Sequence, residues 1–199
     1  MSSQIDIANR ALTKLGADRI ISLDDDVKAA RAILSMWDIV RDAELRAHNW
    51  SFSIKRAALA ASVTTPAYGY EYQYPVPADF LRLLSVGEYY PPVSLTDYRQ
   101  SDDSEWRIEG RSILHNDSGP LYIRYVYRVE DTSQWDSAFV ESFACRLAAE
   151  LAEDLTQSNQ KRELAWQERK QAISDAIRTN AIELPPEPLA DDTWIMTRL

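Results

Sequence analysis

The sequence predicts an α+β protein: a helical bundle formed by the N- and C-terminal segments, an inserted antiparallel β domain, and an extended C-terminal arm. Three observations predict it. Apolar residues recur at the three- and four-residue spacing of a buried helix face before about His48, and again from Ser137 to about Asn180. Between these stretches, residues 50–128 alternate aromatic and polar side chains and are cut by turns rich in glycine and proline, as strands are. Finally, Glu183-Leu-Pro-Pro-Glu-Pro188 cannot continue a helix, and its prolines favour an extended chain. The boundaries read from these patterns are 1–58 and 137–181 for the bundle, 59–136 for the β-rich insertion and 182–199 for the arm.

The first helix is expected at about residues 4–15. Ser3 can cap it with Asp6 three residues on, and Ile5, Ala8, Leu12 and Leu15 share a face. Gly16 can take the left-handed conformation that ends a helix. Asp24-Asp-Asp26 precedes a second helix from Val27 to about His48, with Ala30, Ile33, Leu34, Trp37, Val40 and Leu45 as its buried stripe. Carboxylates there would satisfy unpaired amides and complement the helix dipole, which is a commoner use than metal binding.

From Trp50 the period changes. Ile54 to Ala61 fits a strand or a short helix. Tyr68, Tyr70, Tyr72 and Tyr74 alternate, as one aromatic face of a strand or an extended loop would. Pro75 and Pro77 limit pairing, because proline cannot donate to a ladder. Phe80 to Val86 reads as a buried strand. Trp106 to Ile108 and Ser112 to His115 flank Glu109-Gly-Arg111 as a hairpin. After the turn cluster Asn116–Pro120, Leu121, Ile123, Tyr125, Tyr127 and Val129 share one face, so the segment reads as an antiparallel meander. In the third helix Phe139, Phe143, Leu147, Leu151 and Leu155 recur every fourth residue beside Ala144, Ala148 and Ala152. Ser158 or Asn159 caps a last helix with Leu164, Ile173 and Ile177 inward.

Composition narrows the chemistry. The chain of 199 residues can bury about 70% of its unfolded surface, enough to fold without disulfides or metal. Its formal net charge is −9, and neither the bundle segments nor the insertion carries a basic excess, so no domain is built to grip phosphates. The single cysteine, Cys145, lies in an apolar helical pattern and reads as a small core residue. Met1-Ser-Ser-Gln-Ile-Asp-Ile-Ala8 lacks the basic and apolar regions of a signal peptide, and no apolar run could span a bilayer, so a soluble protein made in the cytoplasm is expected.

The only histidines, His48 and His115, fall in different elements, and no paired spacing of histidines or cysteines suggests zinc. There is no P-loop, no nucleophile elbow and no dinucleotide fingerprint. The acidic pairs Asp102-Asp103, Glu130-Asp131, Glu153-Asp154 and Asp191-Asp192 fit solvated loops and helix faces. No enzyme activity, cofactor or metal is expected. The tyrosine series Tyr68 to Tyr74 fits core and subunit contacts, and alternatively a glycan-binding platform. The tail holds Trp194, Ile195, Met196 and Leu199 beyond the prolines, an apolar tip that is costly to leave in water.

One ordered set of short motifs carries a family resemblance. It comprises Ile7-Ala-Asn-Arg-Ala-Leu-Thr-Lys-Leu-Gly16, Ile20-Ile-Ser-Leu-Asp24, Ala29-Ala30, Trp37-Asp-Ile-Val-Arg-Asp42, His48-Asn-Trp-Ser-Phe52, Arg56-Ala57, Pro77-Ala-Asp-Phe-Leu-Arg82, Trp106-Arg-Ile-Glu-Gly-Arg111 and Gly119-Pro-Leu-Tyr-Ile-Arg-Tyr125. In this order, over about residues 5–180, the chain resembles the tail tubular protein A family, the head–tail adaptor or gatekeeper proteins of short-tailed bacteriophages.

The resemblance implies a structural component of the virion neck, made in the host cytoplasm. It implies a twelve-subunit ring below the portal protein, carrying the tail nozzle or tube, with genomic DNA passing transiently and non-specifically through the channel. It implies no membrane partner, catalytic residue or cofactor. Carried over to this chain, Trp194, Ile195, Met196 and Leu199 become portal-binding residues. Tyr68, Tyr70 and Tyr72 become subunit or tail contacts. The alternative is another tail-associated virion protein whose tyrosine-rich β surface binds glycan.

Overall fold

The computed structural model describes residues 2–87 and 106–183. Among them are four helices and two three-stranded antiparallel sheets, so the protein is α+β. The chain divides into two compact units. One takes the residues up to 53 and resumes at 128; the other begins at Ile54 and runs to Tyr127. The change-overs fall at 53/54 and 127/128, against the expected 58/59 and 136/137. They fall there because the whole of the first strand, Ile54–Leu59, is hydrogen-bonded to the last, Leu121–Tyr127, and both therefore belong to the insertion.

In the helical unit, α1 spans Gln4–Leu15. The Ser3 hydroxyl accepts from the Asp6 amide at 3.1 Å and the Asp6 carboxylate accepts from the Ser3 amide at 3.0 Å, closing a capping box. Gly16 stops the helix at φ 64°, a backbone region that disfavours side chains. The Asn9 side chain then ties down the returning chain, bonding both the amide and the carbonyl of Ile20 at 2.9 Å.

The acidic triplet does not cap the second helix. α2 spans Lys28–Ala47 with Val27 at its N-cap and no side-chain cap. Instead, the Asp25 carboxylate accepts from the amides of Ile21 and Ser22 at 2.9 and 3.0 Å, locking a turn ahead of the helix. A carboxylate bonds whichever orphan amides lie nearest, and here the turn amides are nearer. On α2, Ala30, Ile33, Trp37, Val40 and Leu45 are buried as the periodicity predicts. Leu34 is not; it lies at the margin of the stripe and is 47% exposed.

α3 spans Ser137–Thr156, with Asp136 accepting from the amides of Ala138 and Phe139. Phe139 and Phe143 enter an aromatic cluster with Trp37, Trp50 and Trp135. Trp37 stacks on Trp135 at 6.1 Å, and Trp50 meets Phe139 edge-on at 4.9 Å. Two of the buried indoles donate to carbonyls, Trp50 to Glu44 and Trp135 to Val129.

α4 spans Asn159–Glu183 and buries Ala165, Ala176 and Asn180. The expected inward residues differ: Leu164 is 55% exposed, while Ile173 and Ile177 are half-buried. Helices that approach closely place small residues on the line of contact and push branched ones to its flanks. Asn180 fastens the helix by accepting from the Ser51 amide and donating to the Asn49 carbonyl, both at 2.8 Å.

The β unit holds β1 (Ile54–Leu59), β2 (Tyr72–Pro75), β3 (Phe80–Val86), β4 (Arg107–Glu109), β5 (Ser112–His115) and β6 (Leu121–Tyr127). Its sheets run β1-β6-β3 and β2-β5-β4. The predicted meander is therefore corrected. A strand has only two edges, and those of β5 are taken by β2 and β4, so β6 crosses over to pair with β1 and β3.

Leu59, Leu121, Ile123 and Tyr125 from the first sheet pack with Tyr74 and Ile113 from the second, forming a core of its own. Val129 does not extend this face, because β6 ends at Tyr127 and Val129 is buried in the helical unit. β3 is half-buried along its length and kinked by two register shifts, as befits an edge strand rather than a buried one.

Candidate functional site

The predicted contact tyrosines are placed individually by the backbone. β2 covers only Tyr72–Pro75, and residues 60–71 before it form a loop held by bonds from the Ser62 amide to the Gln73 carbonyl at 2.8 Å and from the Glu71 amide to Asn116 Oδ1 at 3.2 Å. Gly69 turns the loop at φ 85°. Tyr68 is 89% exposed, Val63 in the same loop is fully exposed, and Tyr70 is half-buried. Tyr72 lays its ring against the β core, and Tyr74 is fully buried with its hydroxyl donating to the Asp117 carbonyl at 2.6 Å.

The alternating series therefore does not form one exposed aromatic face. Burial increases along it, leaving the Tyr68 ring exposed and Tyr72 flanking the core. Trp194, Ile195, Met196 and Leu199 lie outside the described residues, as does most of the acidic stretch from Leu95 to Trp106.

The two histidines and the cysteine make packing and backbone contacts. The His115 Nδ1 accepts from the Asp117 amide at 2.9 Å inside the β unit. His48 packs edge-on against Trp50 at 5.0 Å in the helical unit. Cys145 is buried on α3, where burial pushes its thiol up and away from the reactive thiolate. Among the described residues no group of three or more His, Cys, Asp or Glu side chains could hold a metal ion. No described helix is long and apolar enough to cross a membrane.

Two of the clefts on the helical unit are internally neutralised. One, of about 420 Å³, is lined by Asp38, Arg41, Asp42, Arg128 and Glu130 among others. Arg41 reaches Asp38 at 2.8 Å and Asp42 at 3.0 Å, and Arg128 grips both oxygens of Asp42. That hydrogen-bonded carboxylate raises the Arg128 pKa further. The other, of about 350 Å³, holds Lys14 between Glu141 at 2.8 Å and Glu168 at 3.3 Å. A cation already matched to protein carboxylates has little left with which to bind an anionic substrate.

The sequence reading missed a third charged group. Glu44 is 4% exposed; its Oε1 accepts from Arg169 Nη2 at 2.7 Å and lies 3.8 Å from Arg146 Nε. Both guanidinium groups also lie over the Trp166 ring, at 5.4 and 4.8 Å from its centroid. The available signal was Arg41 and Glu44 on the same helical stripe as Trp37 and Leu45. Charges at core positions mark buried ion pairs.

No family model matches the chain, and no curated protein proves similar to it.

Proposed function

We propose that this protein is a structural head–tail adaptor of a short-tailed bacteriophage, a ring component of the virion neck that seats below the portal and carries the tail nozzle or tube. The observation that carries the reading is architectural: a helical unit assembled from residues before 54 and after 127, with a self-contained β unit inserted between them. This is the arrangement that the ordered motifs imply.

The site chemistry supports a binding role over a catalytic one. The histidines and the cysteine are tied into packing, and the charged side chains of the two clefts described above are matched by the protein's own ion pairs. A net charge of −9 suits a wall past which DNA slides without adhering. Portal docking through Trp194, Ile195, Met196 and Leu199, and tail or subunit contact through Tyr68, belong to this proposal.

The test is electron microscopy of the full chain mixed with its cognate portal ring. A second ring of density below the portal is expected, and a chain truncated after Glu183 should fold but leave the portal bare. A portal left bare by the full chain would refute the adaptor reading. Normal binding by the truncated chain would remove the arm from it.

A further inference from the structure

The last helix is fastened to the helical unit mostly by polar bonds. α4 is 25 residues long, yet the only residues it buries are Ala165, Ala176 and Asn180. Its bulky apolar side chains stay at the surface: Leu164 and Ile182 are exposed, and Trp166, Ile173 and Ile177 are half-buried. By contrast α1, at 12 residues, buries Ile7, Leu12 and Leu15, and α3 buries Phe139, Phe143, Leu147 and Leu151. Burial of large apolar side chains is what makes a helix costly to detach, and α4 has the least of it.

Side-chain bonds run along α4 instead. Lys161 donates to the Leu15 carbonyl at 2.8 Å, and Glu168 takes Lys14 at 3.3 Å. Arg169 reaches Glu44 at 2.7 Å, and Asn180 bonds the chain at Asn49 and Ser51. Each such bond is exchanged for one with water when it breaks, so its net hold on the helix is modest.

The seam between α3 and α4 is imperfectly filled. The cleft of about 350 Å³ runs along it, with Ala138 and Cys145 of α3 and Ala172 and Ala176 of α4 among its lining residues. Ser142 lies on the same strip of α3, between Ala138 and Cys145 and one turn before Arg146, which stacks over Trp166. The Ser142 hydroxyl is buried with no hydrogen-bond partner among the described residues, and so are the Nε atoms of Arg146 and Arg169. These groups regain water when the helix lifts, which lowers the cost of lifting it. The joint is strained as well. Gln157 and Ser158 alone connect the two helices, and Gln157 is the one described residue other than glycine with a positive φ, at 53°. Side chains disfavour that left-handed region.

We propose that α4 is a strap that lifts from α1 and α3 as one piece about the Gln157–Ser158 joint, while the aromatic cluster on the other face of α3 stays closed. Lifting bares the strip of small residues Ala138, Ser142 and Cys145. The strap belongs to the helical unit alone and does not rest on the adaptor reading.

Cys145, the only cysteine in the chain, serves as the reporter. It is buried at the cleft beside α4, so a thiol reagent reaches it when the helix lifts. Labelling of the folded full chain with dithiobis(nitrobenzoate) is followed alongside its urea unfolding. Without urea the thiol is expected to react about tenfold or more faster than global unfolding permits. Asn180→Ala should speed labelling about tenfold and Lys161→Ala about threefold, since the two residues anchor opposite ends of one strap. Phe143→Leu, in the aromatic cluster, should lower the unfolding midpoint yet leave labelling within about twofold of the parent.

Labelling that rises in Phe143→Leu in step with its unfolding constant would overturn the strap, because it would tie exposure of Cys145 to loss of the whole helical core. Labelling unmoved by both Asn180→Ala and Lys161→Ala would overturn it too, since the thiol would then be reached with α4 in place. Hydrogen exchange of the parent decides the matter even where a variant fails to fold. The α4 amides should exchange together and ahead of those of α3, and equal protection of the two helices would sink the proposal.

Discussion

Tyr125 offers the most direct test of the β core. It is 2% exposed on β6, its ring lies 5.7 Å from that of Phe80, and its hydroxyl donates to Asp79 Oδ1 at 3.1 Å. The other Asp79 oxygen takes Lys55. Burial first, then the bond to Asp79 and that carboxylate's negative charge, push the phenol up to about 12 from its ordinary 10.

A group raised in the folded state favours folding while it stays protonated. Its contribution is therefore fully present below pH 10 and is lost as pH rises from 10 through 12. Two pKa steps correspond to about 2.7 kcal/mol in all, of which about 1.4 kcal/mol is lost by pH 11. Tyr125→Phe keeps the ring but removes the titrating hydroxyl. At pH 8 the variant should lose about 1.5–3 kcal/mol, the worth of a hydrogen bond to a charged acceptor. Between pH 8 and 11 the parent should lose about 1.4 kcal/mol more than the variant, because the other alkaline groups are common to both. Urea unfolding of the two proteins at each pH measures this. Parallel pH profiles would refute the account, whatever the size of the loss at pH 8.

Three other outcomes are expected. Glu44→Ala leaves two arginines facing a vacated acceptor and should cost about 3 kcal/mol in unfolding free energy. A double-mutant cycle with Arg169→Ala should return about 1–3 kcal/mol of coupling, and additive losses would deny the pair. Gly16→Ala should cost about 1 kcal/mol, read as a lower melting temperature, since φ 64° strains any side chain there. The Glu141 carboxyl is held below its usual 4.5, chiefly by its bond to Arg10 and then by Lys14. Its contribution is present above that value and lost as pH falls below it, so Glu141→Gln should flatten the acid limb of the stability profile.

The local signals in the sequence were legible wherever one turn of chain decides the structure. Ser3, Asp6 and Gly16 announce α1 because caps are made by neighbours three or four residues away. Gly110 marks the β4–β5 turn for the same reason. What was not legible depends on distant choices. The faces of β6 follow from alternation, but its partners depend on β2 and β4 having taken both edges of β5. Leu164 has the right period to be buried, yet the alanines of α4 win the contact line. Asp25 is a local exception: it belongs to a cap-like triplet but bonds the amides of Ile21 and Ser22, four and three residues before it, rather than those of the helix ahead. At the candidate site, alternation gave Tyr68, Tyr70 and Tyr72 equal standing. Only the short extent of β2 separates the projecting ring from those packed behind it.

The pairing of Ile54 with Val126 means that the β unit leaves and re-enters the helical unit through two adjacent strands. Paired antiparallel residues sit about 5 Å apart, so the cut ends could be joined by a very short turn. Such an insertion is a cassette: it can lengthen, shrink or be exchanged for another fold without disturbing the aromatic cluster that closes the helices. One contiguous stretch of gene, residues 54–127, therefore encodes every strand of the β unit.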